Sequence, residues 1–65
     1  MKIVEGGNVR VECTDSGKIV EGIVVTRSSK QVRINMAGVA MTFRANPKGE
    51  FWAQQSGMSF VIRTV

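Results

Sequence analysis

The chain has no histidine and no tyrosine, and only one cysteine, one proline and one tryptophan among its 65 residues. Without histidine it lacks the side chain that most often serves as a general base near neutrality. Without histidine or a cysteine cluster it has no ready set of metal ligands, so neither a metal nor a cofactor is expected. A lone Cys13 cannot close a disulfide within the chain. No apolar run approaches the roughly 20 residues that cross a bilayer, so no membrane role is expected. The five acids are scattered singly, and four of them fall within the first 21 residues. Glu12 and Glu21 flank one turn and are the nearest thing to a carboxylate pair, but a barrel this small gives such a pair little enclosure. The hydroxyls of Ser28, Ser29, Ser56 and Ser59 have no base to activate them. Gly6-Gly7-Asn8 is too short for a phosphate cradle, and no helix pattern follows it. The expectation is a protein that is not an enzyme and has no small-molecule substrate.

What the chain has instead is alternation. Gln31-Val32-Arg33-Ile34-Asn35-Met36 places an apolar residue at every second position, the period of a strand with one face in a core and one in water. Seven such runs follow one another: Met1–Glu5, Asn8–Thr14, Lys18–Arg27, Gln31–Met36, Val39–Arg44, Glu50–Gln55 and Met58–Arg63. Turn signals separate them. Gly6-Gly7 reads as a tight two-residue hairpin, Ala37-Gly38 as another tight turn and Ser56-Gly57 as a turn. Asp15-Ser16-Gly17 and Asn46-Pro47-Lys48-Gly49 carry the acceptor, the fixed φ and the glycine that wider turns use. The Lys18–Arg27 run is apolar on both parities and interrupted by Gly22, which predicts a bent strand serving two parts of a curled sheet.

These features predict a single all-β domain over 1–65. It is a small antiparallel meander of five to seven short strands with no substantial helix, closing into a barrel. Val9-x-Val11, Gly17 and then Gly22-x-Val24 resemble the layout of small SH3-like and Sm-like barrels. Gly57-Met58-Ser59-Phe60-Val61 looks like the end of the last strand in the PilZ family. That family's arginine pair and aspartate-x-serine motif, which hold a cyclic dinucleotide, are absent, and the ligand is not expected here. The expected core is Val9, Val11, Val20, Val24, Val32, Ile34, Met36, Val39, Met41, Phe43, Met58, Phe60 and Ile62, with one of Phe51 or Trp52. Cys13 shares the inward parity of Val9 and Val11 and reads as a small buried residue. A domain this short buries only about 60% of the surface its unfolded form exposes, which leaves either a well-packed core or self-association to stabilise it.

Charge is unevenly spread. Residues 22–49 carry Arg27, Lys30, Arg33, Arg44 and Lys48 with no acid, whereas residues 1–21 carry more acids than bases. A cationic segment in a chain of net charge +4 points first to nucleic acid, DNA or RNA. If Gln31–Met36 pairs with the following strand through Ala37-Gly38, Arg33 faces Thr42 and Arg44 lies near Gln31. Gln31, Arg33, Asn35 and Arg44 then share one outward face able to meet phosphates and base edges. Phe51 and Trp52 are adjacent and cannot enter one core together. With Phe51 inward, Trp52 stands outward as a stacking platform or an interface anchor, unless it plugs an open barrel end. The expected nucleic-acid contacts are therefore Arg27, Lys30, Gln31, Arg33, Asn35, Arg44, Lys48 and Trp52. The competing expectation is a protein-interaction or assembly module, a homo-oligomer or accessory subunit. It would use Trp52 and edge strands such as Met1–Glu5 or Met58–Val65. A single unpaired cysteine and an N-terminus without an apolar leader core fit a reducing, cytoplasmic setting.

Overall fold

In the computed structural model, which describes residues 3–63, six antiparallel strands close into a small barrel consistent with an SH3-like or Sm-like fold. They are β1 (Asn8–Cys13), β2 (Ile19–Arg27), β3 (Gln31–Met36), β4 (Val39–Ala45), β5 (Phe51–Gln55) and β6 (Met58–Ile62). Each pairs with its neighbours in sequence, and β6 returns to β1 through Val11↔Ile62, Glu12↔Val61 and Cys13↔Phe60. The described residues contain no helix, and so none that is long and apolar enough to cross a membrane.

Local chemistry explains the connections. Ala37-Gly38 and Ser56-Gly57 have positive φ at both positions (52° and 84°, 54° and 77°), the requirement of a two-residue hairpin whose twist matches its strands. Asn46 organises the β4–β5 turn. Its side-chain oxygen accepts the N–H groups of Lys48 and Glu50, and its carbonyl accepts that of Gly49. Asp15 accepts the Ser59 N–H at 2.8 Å and so joins the β1–β2 turn to β6.

β2 is the bent strand. It pairs with β1 from Ile19 to Ile23 and with β3 from Ile23 to Arg27, with a register shift between Val24 and Thr26. Gly22 sits inward at the bend, where a Cβ would lie 2.5 Å from Ile34 Cγ2. The strands approach so closely there that only glycine fits.

The expected first strand is not formed. Ile3 and Val4 lie outside any strand, Glu5 starts a turn, and Met1 and Lys2 fall outside the described residues. Val4 C=O accepts the Gly7 N–H, while the Gly6 N–H goes to Val24 C=O beside the β2 bulge. Gly6 alone has positive φ, so Gly6-Gly7 is the end of a β-turn rather than a two-residue hairpin. The segment folds back on the barrel and buries Ile3 among the core residues.

The core otherwise follows inward parity: Val9, Val11, Val24, Val32, Ile34, Met36, Met41, Phe43 and Ile62, with Phe51, Ala53 and Phe60 packed against it. Cys13 is buried as well. Three expected members are not. Val20 is 47% exposed, Val39 49% and Met58 39%. Their parity is inward, but each lies at the rim. Val39 and Met58 open their strands beside a hairpin turn, and β3 has not yet begun to pair where Val20 stands. One residue is buried against parity. Val61 lines up with outward Trp52 and Glu12, belongs to no part of the central cluster, and is 0% exposed.

Candidate nucleic-acid interface

The outer face of β3, β4 and β5 is built in cross-strand rows. Gln31, Arg44 and Trp52 form one row, because Gln31 pairs with Arg44 and Arg44 with Trp52. Thr26, Arg33 and Thr42 form the next. The register expected across Ala37-Gly38 is the one found. The two-residue turn sets it, and alternation then puts both arginines on the water side.

Two shallow hollows lie on this face. One, of about 390 Å³, is lined by Thr42, Arg44, Trp52, Ala53, Gln54 and Ser59. The other, of about 290 Å³, is lined by Thr26, Arg27, Ser28, Gln31, Arg33 and Thr42. Thr42 lines both, so the two hollows adjoin as a track with Thr42 between them. The hollow beside Trp52 lies where β4 and β5 separate. Of β4's seven residues, only Arg44 and Ala45 pair with β5.

The remaining cations stand at one end of the barrel. The Ala45 N–H donates to Lys30 C=O at 2.9 Å, which brings the β2–β3 turn against the start of the β4–β5 turn. Lys30 and Lys48 therefore flank the end at which Arg44 and Arg27 emerge. Asn35 stands apart from the other expected contacts. It lies four residues along β3 from Gln31, about 13 Å at the strand rise, and its Oδ1 accepts the Gly38 N–H at 3.0 Å. It caps a turn instead of facing the track.

Charge on this face is unspent. Among the described residues the one ion pair joins Arg63 Nε to Glu12 Oε1 at 2.7 Å, on the far side of β6. Arg27, Lys30, Arg33, Arg44 and Lys48 take part in none. Two carboxylates border the track. Glu5 accepts the backbone N–H of Arg27, and Glu50 accepts the indole N–H of Trp52. The Asn46 amide, then the Trp52 indole, hold the Glu50 carboxyl below the usual carboxylate range, and the charges of Lys48 and Arg63 add to this. Glu12 and Glu21 do not pair, since Glu12 is held by Arg63 and Glu21 faces Arg10.

Trp52 is half-buried and outward, with Phe51 and Ala53 turned to the core. Its Nε1 donates to Glu50 Oε1 at 3.2 Å, and Val61 stands directly across from it on β6. The indole and the Glu12–Arg63 pair flank Val61 in the register and shield it. The ring is thus fixed along one edge while it lines the larger hollow. It plugs neither end of the barrel. Pairing of β1 with β6 and the Arg63 position are what sequence reasoning missed here, because both depend on closure between the two ends of the chain.

Cys13, at the opposite rim, has its Sγ 3.8 Å from Met58 Sδ. Hydrogen bonds from Ser16 lower its thiol pKa from the ordinary value. Comparison with protein-family models, with curated proteins and with solved structures yields no match to this chain.

Proposed function

We propose that this chain is a non-enzymatic, cytoplasmic nucleic-acid-binding module that works through the outer face of β3–β5. The observation that carries this reading is a run of five cations without an ion pair among the described residues, three of which line two hollows that adjoin at Thr42. Leaving that many like charges together weakens a small fold by self-repulsion, and an anionic partner relieves it. Arginine and lysine on such a face meet phosphates, while Gln31, Thr42 and Gln54 offer hydrogen bonds to sugar or base edges. Affinity should fall steeply with salt, with a slope in log–log form of roughly −0.7 to −0.9 per phosphate neutralised. Anisotropy of labelled oligonucleotides at several salt concentrations measures it. Flat affinity, or no binding at low salt, rejects the reading.

A second reading, assembly with another chain, is favoured by the β4–β5 separation, which leaves most of β4 unpaired on that side. β6 is not available for it, since it is paired on both sides. Of the Met58–Val65 segment, Thr64 and Val65 lie outside the described residues. Sedimentation velocity of the protein alone tests this reading, and a clean monomer at high concentration removes its homo-oligomeric form.

A further inference from the structure

We infer that the ligand of this face is a single strand rather than a duplex, with one unpaired base stacked on Trp52 and the phosphates running over Arg44 and Arg33. The inference rests on the nucleic-acid reading above and specifies its ligand class.

Three observations carry it. First, the aromatic group is placed for stacking. Trp52 is the only tryptophan of the chain, it stands on the outer face, and it lines the larger hollow beside Arg44. Its N–H is committed to Glu50, so what it offers a ligand is ring face rather than a directional donor. A ring face binds any base, but only one that has left its own stack. In a duplex the base faces are already covered.

Second, the cations are spaced along a track rather than gathered at a point. Arg44 and Arg33 are two residues out of register on adjacent strands, about 7–8 Å apart at the backbone. The track crosses from β5 to β2, three interstrand steps or roughly 14 Å. That length covers only a few unstacked nucleotides, at or below the low end of the range for single-strand-binding barrels.

Third, the fold presents no element that enters a duplex groove. Major-groove readers insert a helix or a projecting two-stranded ribbon. Among the described residues there is no helix, and the strand connections are short, two to five residues, within a closed barrel of 27 × 26 × 19 Å. A concave track on a small barrel takes a flexible strand more readily than a rigid cylinder.

The test uses the full chain at low salt and three probes with equal numbers of phosphates. These are an oligothymidylate of about 8 nucleotides, an abasic deoxyribose-phosphate oligomer, and a duplex. Anisotropy reports binding, and Trp52 emission reports stacking without interference from other tryptophans or any tyrosine. The oligothymidylate should quench Trp52 and bind about 5- to 150-fold more tightly than the abasic oligomer, the contribution of one stacked base. The duplex should bind more weakly than the oligothymidylate and leave the emission unmoved.

If the duplex binds as well as or better than the single strand, the inference fails while the nucleic-acid reading stands. The same holds if the thymidylate and abasic oligomers bind alike with no quenching. If none of the three binds, both fall. Trp52→Leu retains an apolar cover for Val61 but removes the ring. It should reduce thymidylate affinity to the abasic level and leave abasic affinity unchanged, with circular dichroism confirming the fold. Should that variant not fold, the comparison of thymidylate with abasic oligomer in the unaltered protein decides alone.

Discussion

Replacing Gly22 with alanine tests the bend of β2 that allows this barrel to close. A Cβ at this position would lie 2.5 Å from Ile34 Cγ2, 3.0 Å from Met36 Cγ and 3.3 Å from the Asn35 carbonyl oxygen. Ile34 is fully buried and cannot swing aside, and Asn35 is held in register with Ile23 and Ala40. Overpacking of this kind costs about 1–3 kcal/mol. Alanine returns about 0.4–1 kcal/mol by restricting the unfolded chain. The net expectation is a loss of about 1–2 kcal/mol, against a total of roughly 3–10 kcal/mol for a domain of this length. In thermal unfolding that is a fall in Tm of about 5–15 °C. In urea the midpoint should drop with little change in slope, since the surface exposed on unfolding is nearly the same. Ile34→Leu removes the branch methyl that Cβ would strike, so the Gly22→Ala penalty should shrink in that background. A Gly22→Ala variant as stable as the parent, or a penalty unaltered by Ile34→Leu, would refute the argument that close approach of β2 to β3 requires glycine.

Ala37 adopts φ of 52° without being glycine, in a turn that favours asparagine there. Ala37→Asn should therefore raise stability by about 0.5–1 kcal/mol in urea unfolding, and a lower midpoint would count against the turn geometry. The Glu50 carboxyl is held low in the fold, so the contact with Trp52 contributes stability above the carboxyl's unfolded pKa and loses it as pH falls through the folded one. Trp52 emission or its indole N–H resonance should titrate with a midpoint below the ordinary glutamate range, and Glu50→Gln should abolish that step. A midpoint at or above the ordinary value would mean that Asn46 and Trp52 do not hold the charged form.

Much of the site was legible in the sequence because it depends on local rules. Alternation in Gln31–Met36 and Val39–Arg44, with a two-residue turn between them, is enough to place Arg33 opposite Thr42 and Arg44 opposite Gln31. Adjacent residues point to opposite faces, so an inward Phe51 obliges Trp52 to face out. Asn35 was less legible. Its parity is outward like that of Arg33, but only the hairpin geometry shows that its side-chain Oδ1 accepts the Gly38 N–H.

By itself the sequence determined the all-β class, most of the turn chemistry, the bend at Gly22 and the cationic middle of the chain. These follow from side-chain period and backbone preference, which act over a few residues. Only the tertiary structure decided how the sheet closes, and closure is a relation between distant parts of the chain. Pairing of β1 with β6 brings Glu12 to Arg63 and seals Val61 from the outside. Separation of β4 from β5 opens the hollow beside Trp52. The barrel rim leaves Val20, Val39 and Met58 exposed although their parity is inward, while Ile3, outside any strand, joins the core. Burial at the ends of a barrel depends on which strand reaches past which, and no local pattern encodes that reach.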